Sequence, residues 1–198
     1  MLTVITPAPT KDLTTLATVK AELQITSSAQ DDHLTRLISE ASETLAEACN
    51  RVFGRETVKQ TERIDIPVGF IILDRDINPA VTSVTVNGTA LAPTEYELDE
   101  YRLYRIMNDR RYGWFAYSKV EITYQAGFTL LTDLPRPLER ACIDLVVSTY
   151  QARGRDAGVS RIQTEGVGAV SYFDMKDWQG GFPANVQAVV DRWRRVPV

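Results

Sequence analysis

The stretch QDDHLTRLISEASETLAEACNRVF, residues 30–53, decides the fold class of the first part of the chain. Its apolar residues recur at steps of three and four, which traces one stripe along a helix. Asp31 and Asp32 fall in the first turn, where the helix dipole favours negative charge, and Gly54 is expected to follow the last turn. The pattern predicts one long amphipathic helix over residues 30–53. Its stripe comprises Leu34, Leu37, Ile38, Ala41, Leu45, Ala48, Cys49 and Val52.

Three further helices are predicted around this one. A short helix should cover residues 14–24, capped by Thr14 or Thr15. A second long helix should cover residues 135–152, opening on Pro137 in its first turn and apolar over so much of its surface that it is expected to be central. A last short helix should follow Pro183, with arginines at its carboxyl end that complement the dipole.

Residues 55–125 have the character of β-structure. Several short β-rich runs follow one another, and Asn87-Gly88 is a strong hairpin signal. We therefore expect an antiparallel sheet of five or six strands inserted between the helices, with residues 1–12 irregular. The fold class is α+β: a small helical bundle on two long helices with an inserted sheet. The predicted division is a core over residues 1–158 and an extended C-terminal arm, ending in a short helix, over residues 159–198.

Composition excludes several classes of protein. The 198 residues carry a formal net charge of −4, with a slight basic excess only after residue 134. A duplex-DNA binder would show a clustered basic face, which the sequence does not. No apolar run approaches the roughly 20 residues of a membrane span, and the first residues do not resemble a signal peptide. We expect a protein made in the cytoplasm, with no membrane partner.

Motifs for catalysis, metals and cofactors are missing from the sequence. His33 is the single histidine, and Cys49 and Cys142 are expected to be buried thiols, so a catalytic triad or a zinc site lacks its residues. The stretch QTEGVGAVSYFD, residues 163–174, has paired glycines but continues as a strand, whereas a phosphate-binding loop opens a helix. We therefore expect no enzyme, no metal and no cofactor.

An arginine–aromatic run occupies residues 109–117. Such a mixture is typical of a protein–protein contact, although a core element or a surface that stacks nucleic-acid bases shares its composition. The contact with another subunit is favoured. Its candidate residues are Arg110, Arg111, Tyr112, Trp114 and Phe115.

The order of elements and a series of local patterns resemble one known family. The patterns are Thr18-Val-Lys-Ala-Glu-Leu23 leading to Asp31-Asp-His-Leu34, then Tyr96-Glu-Leu-Asp99, and Val120-Glu-Ile-Thr-Tyr-Gln-Ala-Gly-Phe128 before Leu134-Pro135. Together they resemble the head-to-tail connector (adaptor, or head-completion) proteins of tailed bacteriophages and gene transfer agents. The resemblance covers nearly the whole chain and is strongest over residues 15–53 and 120–150.

The resemblance implies a structural virion protein of the neck. Such proteins form a ring, commonly of twelve copies, under the portal protein. The ring extends the DNA channel without sequence-specific DNA binding and presents a surface for a stopper or tail-completion protein. A small packaging protein resembling the small terminase subunit, or another neck or tail-completion protein, is the alternative.

Two surfaces acquire expected roles within such a ring. The acidic stripe of Glu40, Glu43 and Glu47 would face the channel, where like charge keeps DNA sliding. The C-terminal arm would bind the portal by adding a strand to a sheet edge, although a local hairpin is the competing interpretation of the same residues. The proposed portal-binding residues are Arg161, Ile162, Val167, Val170, Tyr172, Trp178, Trp193, Arg194 and Arg195.

Overall fold

The computed structural model describes residues 1–153, 161–164, 168–171 and 182–195, the two short ranges by their backbone alone. The fold is α+β, as predicted. Contacts group the chain into two units, each built from two separate stretches: Met1–Lys11 with Val52–Asp133, and Asp12–Arg51 with Leu134–Val198. We call the first the β unit and the second the helical unit. The predicted boundary at residue 158 lies outside the described residues.

The helical unit confirms the predicted helices. Helix α3 contacts each of the other helices, which agrees with the central place expected from its apolar surface. Val19, Leu34, Leu138 and Val186 are fully buried, so each helix contributes one apolar face to the core. The helices are α1 (Leu16–Leu23), α2 (Asp31–Cys49), α3 (Arg136–Ala152) and α4 (Ala184–Trp193).

The carboxyl end of α2 differs from the prediction. The helix ends at Cys49, because Asn50 adopts a left-handed conformation with φ 50° and its N–H donates back to the last turn. Gly54 is therefore not the residue that ends the helix. It lies in a crowded part of the β unit instead, where an added Cβ would come within 2.7 Å of the Ala8 Cβ. Asparagine tolerates the left-handed region well enough to end a helix without glycine.

The β unit contains two antiparallel sheets in the described part of the chain. The first has the strand order β1-β2-β9-β4-β5, and in the second β7 lies between β6 on one side and β3 and β8 on the other. This is more than the single sheet predicted. The strands are β1 (Leu2–Thr6), β2 (Glu56–Ile64), β3 (Ile71–Ile72), β4 (Ala80–Val86), β5 (Thr89–Ala90), β6 (Tyr96–Asp99), β7 (Arg102–Met107), β8 (Arg110–Tyr112) and β9 (Ser118–Ala126).

Two features of the first sheet test predictions made from the sequence. The hairpin at Asn87-Gly88 is confirmed, since both residues have positive φ and join β4 to β5. The prediction that residues 1–12 are irregular is wrong, because Leu2–Thr6 forms β1 and pairs antiparallel with β2. The partner strand β2 lies more than fifty residues after β1 in the sequence, so no local sequence pattern predicts the pairing.

Both sheets contribute to one hydrophobic core. It includes Val58 and Ile122 from the first sheet and Leu103 from the second. A buried polar network runs beside it: the Gln60 Oε1 accepts from the Tyr124 hydroxyl at 3.0 Å and from the Asp74 N–H at 2.9 Å. The Gln60 Nε2 donates to the Ile72 carbonyl at 2.9 Å. Every polar atom of this buried amide thus has a partner, as burial requires.

Candidate functional site

The outer face of the second sheet carries an arginine held by carboxylates and an aromatic ring. Arg111 on β8 donates through Nε and Nη2 to both carboxylate oxygens of Glu97, at 3.0 and 2.7 Å, and its Nη1 lies 3.1 Å from Asp99. Its guanidinium also lies 4.2 Å from the centre of the Tyr104 ring. The hydrogen bond to Glu97 raises the pKa of Arg111, and the same bond lowers the pKa of Glu97.

A second arginine on this face rests on aromatic rings. The Arg102 guanidinium lies 5.2 Å from the centre of Phe70 and 5.4 Å from the centre of Tyr101, and Phe70 lies 5.7 Å from Tyr104. Side chains alternate across a strand, so Arg102 and Tyr104 share the outer face while Leu103 enters the core. The result is a platform of planar groups, the kind of surface that forms hot spots in protein interfaces.

The structure separates the residues of the predicted subunit contact. Arg110, Arg111 and Tyr112 form β8 and are exposed, and Phe115 is 54% exposed. Trp114 is buried at 2% exposure, and its Nε1–H donates to the Leu103 carbonyl at 3.0 Å. Trp114 is part of the hydrophobic core of its own chain, so the residues still available for the predicted subunit contact are the other four. A core element is one of the alternatives that the composition of this run predicts, and for Trp114 it is the correct one.

The platform around Arg102 was missed by the sequence reasoning. A predicted strand begins at Tyr101, and within it the alternation of Arg102 and Tyr104 with Leu103 was the available signal. Phe70 comes from another segment, and only the pairing of β3 with β7 brings it near. Tyr117 is a further exposed aromatic at 89% exposure, held with φ 57° in the turn before β9.

The three glutamates of the acidic stripe lie together on the exposed side of α2. Glu40, Glu43 and Glu47 are all solvent-exposed, at spacings of three and four residues that place them on one face. Among the described residues none of them forms an ion pair. The opposite side of the helix is buried through Leu37, Ala41 and Leu45. The described part of α2 therefore presents a row of negative charge that no ion pair neutralises.

The residues predicted to bind the portal fall into three groups. Arg161, Ile162 and Val170 lie in two short strands, β10 (Arg161–Thr164) and β11 (Gly168–Ser171), which pair antiparallel with each other. Val167, Tyr172 and Trp178 lie outside the described residues. Trp193, Arg194 and Arg195 end α4.

The end of α4 is bound to its own unit. The Arg194 Nε donates to the Ala48 carbonyl at 3.3 Å, and the Arg195 N–H donates to the Cys49 carbonyl at 2.8 Å. These bonds satisfy carbonyls at the carboxyl end of α2, which have no partner within that helix. Val186 and Val190 are fully buried. Helix α4 is therefore a packed element of the bundle rather than the free end of an arm.

Cys49 and Cys142 are buried and unpaired with each other, and burial raises the pKa of each thiol to about 11. Within the described ranges no group of three His, Cys, Asp or Glu side chains could hold a metal ion. No helix in those ranges is both long and apolar enough to span a bilayer.

The chain is similar to one known protein family and to chains of gene transfer agent particles. The family model of the head completion proteins matches residues 12–196. The fold is similar to a chain in the virion of a native gene transfer agent particle, with a TM-score of 0.63, 18% identity, and coverage of 100% of this chain and 97% of the other. It is similar in the same way to chains from two gene transfer agent necks. One comes from an empty particle computed with C6 symmetry (TM-score 0.61, 18% identity) and one from a native particle computed with C12 symmetry (TM-score 0.59, 19% identity), again with 100% and 97% coverage. No curated protein sequence matches the chain.

Proposed function

The chain belongs to the head completion protein family, and on this basis we propose that it is an adaptor that forms a ring in the neck of a phage-like particle. The family match over residues 12–196 carries the proposal. In the proposed role, the ring stacks under the portal protein and extends the DNA channel. Its opposite side binds a stopper or tail-completion protein. The role is structural and requires no catalysis.

The likeness to neck structures supports the ring. One of the similar chains comes from a neck computed with C12 symmetry, and this chain shares its fold over its full length. A head-to-tail ring needs two different faces on each copy, since such an interface is heterologous. The exposed residues Arg110, Tyr112 and Phe115 are proposed for one of these faces, because arginine and aromatic residues dominate protein contacts.

Electron microscopy of the purified full chain, alone and mixed with portal protein, tests the proposal. Rings stacked on the portal are the expected result. A monomer that binds DNA and does not bind the portal protein would contradict the adaptor proposal and favour the packaging-protein alternative. Particles that bind only tail-completion proteins would favour another position in the neck.

The acidic stripe is proposed to face the channel. Lysine and arginine contacts with phosphates drive DNA binding, so a wall with Glu40, Glu43 and Glu47 lets DNA slide. Replacing these three glutamates by lysine should increase the retention of DNA by portal-bound rings. The matched control introduces three lysines at the exposed acidic positions Asp65, Glu100 and Asp109 of the β unit. Equal retention by both variants would mean that the stripe does not line the channel.

The segment between α3 and α4, residues 154–181, is proposed to reach a neighbouring molecule by strand addition. The resemblance makes the portal the first candidate for that molecule. Removing residues 159–198 would also remove α4, whose valines fill the helical core. The sharper variant replaces residues 154–181 with a short Gly/Ser linker and keeps α4. It should stay folded and lose assembly, whereas normal assembly would show that the segment is dispensable.

A further inference from the structure

Strand β1 forms an open edge of the first sheet. It pairs with β2 on one side, and no other described strand pairs with it. Strand β1 itself contains no charged residue and no proline, although edge strands are usually protected by charges, prolines or short length. Pro7 and Pro9 come only after the strand. Val4 is 44% exposed and Ile5 is 54% exposed. This edge is therefore ready to accept another strand.

The hydrogen-bond pattern shows which groups point outward. Met1 and Thr61 exchange two backbone hydrogen bonds, each of 2.8 Å. In an antiparallel pair such residues alternate with ones whose N–H and C=O point away from the partner. Leu2 lies opposite Gln60 and Val4 opposite Val58, both at the alternate positions. The backbone groups of Leu2 and Val4 consequently face the open side.

The other edge of the same sheet is protected. There the last strand, β5, has two residues, and β4 carries an irregularity between Val81 and Ser83. Short strands and bulges block further pairing. Lys59 on β2 is the nearby lysine whose charge could block strand addition at β1. Its ammonium lies 2.8 Å from Glu121 on β9 instead, on the side of β2 away from the β1 edge. Strand β1 has an irregularity of its own between Val4 and Thr6, but Leu2, Thr3 and Val4 pair regularly and form the longer open edge.

Strands β10 and β11 have two open edges of their own, which could pair with an open edge such as that of β1. They form a two-stranded sheet that joins no other strand in the described part of the chain. An isolated two-stranded sheet is marginally stable in water and gains stability from a third strand. The sequence of β11, Gly168–Ser171, has no charged residue. Its length of four residues fits the five of β1.

We propose that β1 of one copy accepts the β10–β11 sheet of a second copy, which links neighbouring subunits by a shared sheet. The inference rests on the proposed ring and names the partner of its 154–181 segment. Main-chain bonds supply the affinity in such strand addition, so the exposed backbone of Leu2 and Val4 is the receiving surface. Val4 faces the same side as the buried Val58, and the added strand extends the apolar layer over it.

Cross-linking between differently labelled copies tests the proposal. A full chain with Val4→Cys is mixed with a full chain with Val170→Cys, and a short bismaleimide reagent is added, with and without cysteine-free portal protein. We expect a dimer band from the mixture. A mixture in which Asp65→Cys replaces Val4→Cys is the matched control, since Asp65 is exposed but lies outside β1. Cys49 and Cys142 are buried and should stay unreacted, as the wild-type chain will show.

Each outcome has a definite meaning, because electron microscopy of the same samples reports the ring independently. A dimer from the Val4 mixture, and not from the control, supports the proposal. Rings without that dimer overturn it and leave the proposed function standing, with the portal as the segment's partner. A chain carrying both cysteines should give a ladder of multimers. If it gives only an internally linked monomer, β1 receives the strands of its own copy and the proposal is wrong.

Discussion

In the helical unit the buried residues are almost all apolar, and Ser42 and Thr14 are the buried polar exceptions among the described residues. The β unit buries Gln60 and Glu56 and surrounds them with hydrogen bonds. Amphipathic helices need only their stripes to pack, whereas the segment after β3 is fixed to β2 and β9 by polar groups. The helical unit should therefore tolerate loss of single polar groups, and the β unit should not.

The thiols allow the two units to be followed separately. Cys49 and Cys142 both belong to the helical unit, and the described β unit contains no cysteine. Thiolates react and thiols do not, so buried groups with a pKa of about 11 label slowly until the helices open. Labelling rates then report the helical unit, while circular dichroism in urea reports the whole chain.

The largest effect is expected from Trp114→Ala. The side chain is buried in the core of the β unit and donates its indole N–H to Leu103. Deleting it should destabilise the chain by about 3–5 kcal/mol in urea unfolding. Phe115→Ala, next along the chain and 54% exposed, is the control and should cost about 0.5 kcal/mol or less. Thiol labelling should remain slow in both. Fast labelling in Trp114→Ala would show that the units unfold together.

Gly127→Ala should have the next largest effect. Gly127 has φ +107°, and an added Cβ would lie 2.3 Å from the Gly54 carbonyl oxygen, so the backbone would have to move. We expect a loss of about 2–3 kcal/mol. Gly88→Ala is the matched control, because Gly88 has φ +85° but open space around it, and it should cost about 1 kcal/mol. Equal losses in the two variants would show that backbone strain, and not crowding, sets both.

A pair of polar substitutions tests the difference between the units most directly. Gln60→Leu keeps the volume but leaves the Asp74 N–H, the Ile72 carbonyl and the Tyr124 hydroxyl without this partner. It should cost about 2 kcal/mol. Ser42→Ala in the helical unit removes one acceptor of the Leu13 N–H and should cost about 1 kcal/mol. The comparison fails if Ser42→Ala is the more destabilising of the two in urea unfolding.

The sequence predicted the helical unit better than the β unit for a physical reason. The stripe through Leu34, Leu45 and Cys49 reflects local periodicity, which one segment displays by itself. Strand β1 exists because of β2, and its residues read as an irregular start until that pairing is known. Gln60 shows the same limit, since Ile72 and Asp74 come from one distant segment and Tyr124 from another.

The candidate sites divide along the same line. Exposure of Glu40, Glu43 and Glu47 followed from helix geometry, and the structure places all three on one open face. The arginine–aromatic run was recognised by composition, which cannot tell which ring turns inward. The Trp114 side chain lies in the core, whereas Arg111 on β8 forms ion pairs across β7 with Glu97 and Asp99 on β6. Side-chain direction in a sheet depends on register, which long-range pairing decides.

The smallest effect concerns the surface of the β unit. Glu121 accepts from Lys59 at 2.8 Å and from Lys119 at 3.1 Å, and these bonds lower its pKa to about 2. A carboxyl whose pKa falls on folding stabilises the native state above its ordinary pKa of 4.5. That contribution is lost as the pH drops from 4.5 towards 2. Solvent and salt screen an exposed pair, so the loss should be small.

Carbon-13 NMR of the glutamate side chains measures the titration of Glu121 directly. Its midpoint should lie near pH 2 in low salt and rise towards 4.5 in 1 M salt as the lysine charges are screened. Glu121→Gln should flatten the corresponding part of the stability–pH profile, because the amide does not titrate. A midpoint at the ordinary glutamate value in low salt would mean that the two lysines are not held beside it. The outer face of the first sheet would then lack the ion pair that draws Lys59 away from the β1 edge.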